Sequence, residues 1–462
     1  MIPLPPVIRL LSLSLDCFKN VEHGDFEMPH AKEKIFFASG AELLGIYGQN
    51  GSGKTAVIDA LRCIQFLLQG GALTGECGHL IMEGKREARL KCRFSLEYQK
   101  KRYFVDYAIC LARGEDGCRL VEESLAYAPL LYWKNQGMKK ERLKGIASFE
   151  VRSKPSDASF VPAATFSKLV ANRKDLKQDL LVAKRMSYDS TKSYIFGKEA
   201  FEIFSNDFDE DRASIVKSLR LFANNHMTVI ERSQSGVISL NLLPVSLVEH
   251  VGHGSIPIML TSSNTIPLEM YSRIKKLFPH LNIVLQTIIP GLTIDAEELG
   301  KELLDNGQHA MRFELVSIRN EARIPLRYES EGIKKIISIL GVLTDMYNKE
   351  YVCLVIDELD AGIFEYLLGE LLKVIEENGK GQLIFTSHNL RPLEMLDKNS
   401  ILFSTINPIK RYIRFTGIKK NHNLRDQYIR TINLSGQSEE IYDLTESFSI
   451  SQAFRKAGRG LQ

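Results

Sequence analysis

One glycine-rich segment constrains the fold of this chain more than any other feature. Residues 48–55 read Gly-Gln-Asn-Gly-Ser-Gly-Lys-Thr, which matches the spacing G-x-x-x-x-G-K-[ST]. The apolar run at residues 43–47 predicts a strand before it, and the apolar residues after Thr55 recur at the steps of one helical face. A strand, a glycine-rich loop and a helix in this order form the context in which the spacing binds phosphate, so the sequence predicts an α/β fold.

The residue types in this segment suit the phosphates of ATP together with Mg²⁺. Its glycines allow backbone amides to curl around a phosphate, and the start of the following helix adds a partial positive charge. We expect Lys54 to bridge the β- and γ-phosphates and Thr55 to bind the metal ion. The residues predicted to bind the nucleotide are Asn50, Gly51, Ser52, Gly53, Lys54 and Thr55.

Two adjacent carboxylates follow a second apolar run. Residues 352–356 carry only apolar side chains and are followed by Asp357 and Glu358. Because unpaired buried carboxylates are costly, a purely structural role does not explain the pair. We expect Asp357 to hold Mg²⁺ through water and Glu358 to act as the general base toward the attacking water.

Two further segments supply candidate site residues. His388 lies in a Thr-Ser-His-Asn segment just after another predicted strand. An isolated histidine there would more often be a packing residue, but its position after the acidic pair favours a γ-phosphate sensor. Ser330 and Gly332 lie at the start of a predicted helix, where Ser330 suits the N-cap. The same two residues form an anion site, which in this fold would have to reach the nucleotide of a neighbouring subunit.

The clearest strand patterns flank the middle of the chain. Apolar and polar residues alternate at 89–98 and at 103–111, which predicts two antiparallel strands with one face in water, and a third strand is expected at 119–127. A second hairpin is predicted at 311–328, and a further buried strand is predicted at 401–404.

The middle of the chain lacks this alternation and is predicted to be a mainly helical insertion. Its predicted helices lie at 167–183, 200–222 and 268–277. A chain of 462 residues is long enough for two or three lobes. The predicted regions are 1–130, with the glycine-rich loop and antiparallel sheet; 131–310, the insertion; 311–415, with Ser330, the acidic pair and His388; and 416–462, the tail.

The positive charge of the chain is concentrated in two segments. The net charge of +4 is too small to indicate a nucleic-acid partner. Residues 131–200, however, contain fifteen Lys or Arg and seven Asp or Glu, and residues 409–430 contain seven cations and one acid. Solvated helix faces explain this pattern, and so does a surface for DNA, RNA or an acidic partner, and the sequence leaves both interpretations open.

The cysteines and the apolar runs indicate a cytoplasmic protein. The seven cysteines include no C-x-x-C pair and are odd in number, which argues against a zinc ribbon and against a disulfide framework, so we expect reduced thiols. The apolar runs are shorter than the roughly 18 residues that a membrane span needs, and the first residues lack the pattern of an export signal. These features predict no membrane association.

In combination, these motifs resemble the ABC-type ATPase heads of the RecF and SMC group. The resemblance rests on the Lys54 loop, the Ser-Glu-Gly segment at 330–332, the acidic pair and His388, and it covers residues 7–130 and 311–405. It implies a mixed central sheet with an antiparallel β subdomain. It also implies a head that sandwiches two ATP molecules between two subunits, with the Ser330 region of one subunit closing on the Lys54 loop of the other. Glu331 departs from the usual Ser-Gly-Gly, so that one contact stays open.

Further sequence features favour some branches of this group over others. The chain has no C-x-x-C and no long heptad arm, which disfavours the zinc-hook and SMC branches, and 74 residues after His388 are too few for an added Toprim domain. Segments 424–430, 434–436, 440–443 and 453–458 are similar to the stand-alone ATPases of bacterial anti-phage systems, such as the AriA-like ATPases of the PARIS system.

The similarity to anti-phage ATPases implies a homo-oligomeric sensor. Such a sensor holds a separate effector, here a Toprim nuclease, and releases it when a phage-derived trigger protein is met. The alternative is a RecF-like repair ATPase whose basic segments bind duplex DNA. The glutamine that would link ATP to the insertion stays open among Gln65, Gln69 and Gln178.

Overall fold

The computed structural model describes residues 5–31, 40–73, 75–114, 117–133, 137–140, 144–150, 174–206, 209–231, 242–249, 252–415, 423–434, 439–443 and 447–459. The strands in these ranges are β1 Val7–Phe18, β2 Val21–Glu27, β3 Glu42–Tyr47, β4 Glu87–Tyr98, β5 Lys101–Gly114, β6 Gly117–Trp133, β7 Gly137–Lys140, β8 Lys144–Glu150, β9 Met227–Ile230, β10 Leu242–Glu249, β11 Gly252–Met259, β12 Asn264–Pro267, β13 Thr293–Leu303, β14 His309–Arg319, β15 Ala322–Pro325, β16 Cys353–Ile356, β17 Gln382–Thr386, β18 Ile401–Ser404 and β19 Tyr412–Ile413.

The helices in the same ranges are α1 Lys54–Leu68, α2 Lys174–Ser190, α3 Lys198–Asn206, α4 Glu210–Asn225, α5 Leu268–Lys275, α6 Phe278–Ile288, α7 Glu331–Asn348, α8 Glu365–Asn378, α9 Pro392–Met395, α10 Leu424–Leu434 and α11 Ser447–Arg459. Short 3₁₀ helices lie at Gly75–Leu80, Leu326–Tyr328 and Lys398–Ser400. None of these helices is long and apolar enough to cross a membrane.

A six-stranded, mostly parallel sheet forms the centre of the molecule. Its strand order is β19-β18-β3-β17-β16-β9, and every neighbouring pair is parallel except β19 with β18. β17 lies between β3 and β16, with Leu383 paired to Leu43 on one side and to Leu354 on the other. The carboxyl ends of these three strands therefore meet at one edge of the sheet, as the predicted buried strands require.

An antiparallel sheet packs beside the central one. Its order is β2-β1-β4-β5-β6-β7, with β8 also paired to β6. The alternation predicted for residues 89–98 is present, since Leu90 and Cys92 are buried while Arg89 and Lys91 are exposed. The two predicted strands and the third are confirmed as β4, β5 and β6.

The central strands divide their side chains between two hydrophobic cores. Leu44 and Ile46 of β3 pack into a core shared with α1 and the antiparallel sheet. Leu43 and Tyr47, which point the other way, pack into a core shared with α7, α8 and a third sheet of order β12-β14-β13. Because both faces are covered, these strands read as continuous apolar runs.

The predicted hairpin at 311–328 is confirmed, although its sheet is larger than predicted. β14 pairs with β15 as expected, and β12 and β13 pair with β14 on its two sides. Burial alternates only over residues 293–296 of β13, and the strand is exposed from Glu297 onward. Four alternating residues are too few to predict a strand of this length.

The prediction of a mainly helical insertion at residues 131–310 needs correction. The described part of this region contains α2 to α6 and also β7 to β13. β9 completes the central sheet beside β16, so the region contributes a strand to the central sheet and is not wholly a separate insertion. The predicted helix at 200–222 consists of two helices, α3 and α4, and residues 151–173 lie outside the described residues.

The expectation that all cysteines are reduced thiols also needs correction. Cys77 and Cys118 form a disulfide, with their Cα atoms 5.5 Å apart. They lie 41 residues apart in sequence, on a 3₁₀ helix and on β6, so only the tertiary structure brings them together.

Candidate active site

A cavity of about 410 Å³ opens where β3, β16 and β17 end. Predicted site residues that line it are Asn50, Gly51, Gly53, Lys54, Thr55, Asp357, Glu358 and His388. Lys19, Asn20, Ala56 and Thr386 line it as well. The structure thus places four segments of the sequence, 19–20, 50–56, 357–358 and 386–388, around one cavity.

The glycine-rich loop depends on backbone conformations that favour glycine. Gly51 and Gly53 have φ angles of 78° and 90°, in the left-handed region where a side chain is disfavoured. Ser52 does not line the cavity. Its buried hydroxyl donates to the carbonyl of Gln49 at 2.6 Å and contacts the hydroxyl of Ser404 on β18. Ser52 therefore stabilises the loop through hydrogen bonds outside the cavity.

Lys54 lies inside this loop, with 7% of its surface exposed. Its Nζ donates to the carbonyls of Gly48 at 2.8 Å and Gln49 at 2.9 Å. Burial lowers the pKa of Lys54, and the nearby carboxylates of Asp357 and Glu358 oppose that shift. The loop thereby places the Lys54 amine near the carboxylates of Asp357 and Glu358, at the amino end of α1.

One hydroxyl contacts both residues of the acidic pair, through the carboxylate of Asp357 and the backbone N–H of Glu358. Thr386, the last residue of β17, donates through Oγ1 to Asp357 Oδ1 at 2.6 Å and accepts the N–H of Glu358 at 2.7 Å. Glu358 has a φ of 47°, a left-handed conformation that is unfavourable for a residue with a side chain. Lys335 of α7 donates to the Glu358 carbonyl. These contacts hold the turn that aims Glu358 into the cavity.

His388 lies at the exposed mouth of the cavity. Its backbone N–H donates to Asp360 Oδ2 at 3.1 Å, which ties the end of β17 to the turn after the acidic pair. Its ring lines the same cavity as Lys54 and Asp357.

Ser330 and Gly332 lie outside this cavity. The Ser330 hydroxyl accepts the N–H of Ile333 at 3.3 Å, which confirms the predicted helix cap, and the residue is exposed. A Cβ at Gly332 would lie 2.0 Å from the carbonyl oxygen of Gly362, so this position admits only glycine without a shift. Within one chain, neither Ser330 nor Gly332 therefore lines the cavity that contains Lys54.

The turn between β1 and β2 supplies two residues that the sequence interpretation did not assign. Lys19 Nζ pairs with Asp59 of α1, and Asn20 Nδ2 donates to the carbonyl of Gly51. Burial raises the pKa of Asp59, and the Lys19 contact counteracts this. These contacts join residues 40 and 31 positions apart, so no local sequence pattern indicates them.

The donor atoms around the cavity fit Mg²⁺. The Thr55 hydroxyl and the Asp357 carboxylate are hard oxygen ligands, and both line the cavity. In the described part of the chain no group of three or more His, Cys, Asp or Glu could hold a metal ion. A small number of protein ligands is consistent with a Mg²⁺ site, because Mg²⁺ commonly takes its remaining ligands from phosphates and water.

The three candidate glutamines lie away from the cavity. The side-chain amide of Gln65 donates to the carbonyl of Met227 at 2.6 Å, and that of Gln69 to the carbonyl of Ala223 at 2.8 Å. Gln65 thereby joins α1 to the start of β9, Gln69, just after α1, contacts the last turn of α4, and Gln178 is exposed on α2. None of them lines the nucleotide-sized cavity.

Several solved structures are similar to this chain at low sequence identity. The Smc head domain with an extended coiled coil bound to the C-terminal domain of ScpA, from Pyrococcus furiosus, matches 93% of this chain and 100% of its own, with 13% identity and a TM-score of 0.40. The SMC head domain from Thermotoga maritima matches 88% and 99%, with 15% identity and a TM-score of 0.36. The recombination mediator RecF-ATPrS of the RecFOR pathway matches 88% and 98%, with 12% identity and a TM-score of 0.36.

No protein-family model matches the chain, and no curated protein matches it in sequence. At this level of agreement, the similar structures assign neither an activity nor a partner to this chain. The fold itself is a mixed α/β fold with a largely parallel sheet and antiparallel sheets.

The contact between Gly332 and Gly362 yields a prediction about the start of α7. Gly332→Ala should lower the free energy of unfolding by about 1–3 kcal/mol, because the added methyl group meets a backbone carbonyl. Chemical denaturation measures this change. Gly458→Ala is the control, since nothing lies within 4 Å of a Cβ there. Equal stability of the two variants would contradict the close packing.

Proposed function

We propose that this chain is an ABC-type ATPase that binds ATP with Mg²⁺ and hydrolyses it in paired heads. The observation that carries the proposal is the single cavity of about 410 Å³ lined by Lys54, Thr55, Asp357, Glu358 and His388. The contacts of Thr386 with the Asp357 carboxylate and with the Glu358 backbone support it, because a general base must be held at a defined position.

Each residue has a chemical task in this proposal. The amides of the 48–55 loop and the ammonium of Lys54 bind the phosphates, and His388 acts as the γ-phosphate sensor. Thr55 and Asp357 would hold Mg²⁺, which neutralises phosphate charge. Glu358 accepts a proton from the attacking water, and the contact between its N–H and Thr386 keeps its backbone in place.

The position of Ser330 supports a site shared between two subunits. Ser330 and Gly332 are at the amino end of α7, where backbone amides and a partial positive charge favour anions, yet they do not line the cavity of their own chain. A second copy in head-to-head orientation would bring its Ser330 to the Lys54 loop of the first. In the proposed dimer each ATP is bound by both chains.

The proposed cellular role is a sensor in a bacterial anti-phage system. The support is the similarity of segments 424–430 and 453–458 to the stand-alone ATPases of such systems. In this role a phage-derived protein triggers release of a separate effector, a Toprim nuclease. The experiment is co-purification from the native operon, and consistent recovery of the chain without a companion protein would count against the role.

A RecF-like role in DNA repair is the second candidate. The excess of cations at 131–200 and 409–430 favours it. Contacts to duplex phosphates weaken steeply as salt rises, so a salt titration of ATP-dependent DNA binding tests this role directly. An absence of binding at low salt would remove its basis.

We predict that two substitutions separate ATP binding from hydrolysis. Lys54→Ala should weaken ATP binding by about a hundredfold or more, since it removes a charge placed among phosphates. Glu358→Gln should retain ATP and lower kcat by about a hundredfold to ten-thousandfold, because the amide accepts no proton from water. Equilibrium binding and single-turnover assays measure the two effects.

The control for these substitutions is Lys301→Ala, which removes an exposed lysine on β13. It should match the wild-type protein in both assays. Full turnover by Glu358→Gln would show that another group is the base, and unchanged binding by Lys54→Ala would contradict the phosphate-binding role of the loop.

We predict that two inactive variants complement each other. Ser330→Arg should block closure onto a neighbour, and Lys54→Ala should disable the loop, so each variant alone is inactive. In an equal mixture, each mixed pair keeps one intact composite cavity, and about a quarter of wild-type turnover should return. Steady-state phosphate release measures this.

The matched control for complementation is Lys54→Ala mixed with a chain carrying both substitutions. That mixture contains no intact cavity and should stay inactive. A mixture of the single variants that also stays inactive would argue that each chain hydrolyses ATP alone.

A further inference from the structure

Side chains from the C-terminal part of the chain contact the glycine-rich loop of residues 48–55 and the β1–β2 turn beside it. Tyr412 of β19 donates through its hydroxyl to the carbonyl of Gly53 at 2.8 Å, and Arg411 Nη2 donates to the carbonyl of Asn20 at 2.6 Å. These two contacts reach the loop and the β1–β2 turn that lines the cavity. Arg411 and Tyr412 thus stabilise two segments that line the cavity, the β1–β2 turn and the glycine-rich loop.

A separate segment after α10, residues 439–443, reaches the same loop. The backbone N–H of Asp443 donates to Gln49 Oε1 at 2.7 Å. Gln49 occupies a position at which the loop motif accepts any residue. Its own carbonyl accepts from Ser52 and Lys54, so both ends of this residue are engaged in shaping the loop.

Segment 439–443 is anchored independently of Gln49. Ile441 is 1% exposed and belongs to the core that contains α7 and α8. The carbonyl of Glu440 accepts the N–H of Ile406 at 3.0 Å. Glu439 accepts from Asn407 at 2.8 Å and pairs with Lys410 at 3.1 Å.

We propose that segment 439–443 sets the nucleotide affinity of the loop through the contact between the Asp443 amide and Gln49. Gln49 is then a positioning residue, and this inference rests on the proposed ATP-binding function. A protein or ligand that draws the segment away lowers ATP affinity. By thermodynamic reciprocity, bound ATP strengthens the docking of the segment. The C-terminal region thereby regulates the site without contacting the nucleotide.

The test removes one hydrogen-bond donor and leaves the rest of the chain intact. Asp443→Pro lacks the backbone N–H, whereas Asp443→Ala retains it and is the matched control. A single net hydrogen bond corresponds to about a fivefold change in affinity. Asp443→Pro and Gln49→Ala should each weaken binding of a fluorescent ATP analogue with Mg²⁺ by about that factor, and Asp443→Ala should stay within about twofold of wild type.

A double-mutant cycle distinguishes the contact from two unrelated effects. The variant with both Asp443→Pro and Gln49→Ala should bind no more weakly than either single variant, because both remove the same contact. In turnover assays KM should rise while kcat stays unchanged, as expected for a loss of binding alone. Wild-type affinity in Asp443→Pro, or multiplied effects in the double variant, would overturn the inference.

Hydrogen exchange supplies a readout that does not depend on Asp443→Pro folding correctly. In the wild-type chain, ATP should slow amide exchange at residues 439–443, and Gln49→Ala should speed it. Unchanged exchange in both cases would refute the coupling. If the wild-type chain binds no ATP, or if Lys54→Ala binds it normally, the proposed function fails instead, so the two failures are distinguishable.

Discussion

The shared carboxyl edge of β3, β17 and β16 is the constraint on which the rest of the structure depends. These strands are buried on both faces, so their polar successors can emerge only where the strands end. The loop with Lys54 follows β3, the acidic pair follows β16, and His388 follows β17. Because β17 pairs with β16, Thr386 at its end can bond to both residues of the acidic pair.

At this edge of the sheet, buried strands support a strained backbone conformation at Glu358. The left-handed backbone of Glu358 costs on the order of 1–3 kcal/mol, which the contacts from Thr386 and Lys335 help to offset. Lys335 belongs to α7, the helix whose amino end carries Ser330. A subunit that contacts Ser330 therefore acts on a helix that also holds the backbone of the proposed base. This connection offers a physical route from subunit pairing to hydrolysis.

Local patterns predicted the parts of the fold and of the candidate site that local physics controls. The loop at 48–55, the apolar run before Asp357 and the alternation around Leu90 each carry their signal within a few residues. β9 and β13 were missed because a four-residue strand and a largely exposed strand carry no hydrophobic period. The Cys77–Cys118 bond and the Gln49–Asp443 contact join residues far apart in sequence, and no spacing rule indicates them. The assigned roles of the site residues stay predictions.

We propose that one chain holds only part of each catalytic site, since Ser330 is exposed outside the cavity that contains Lys54. The most direct test is the rate of ATP hydrolysis per chain as a function of protein concentration, with the oligomeric state followed by sedimentation. If the site is shared between two chains, the rate per chain rises with protein concentration and parallels the fraction of paired chains. A rate per chain that stays constant and maximal where the protein is monomeric would contradict it.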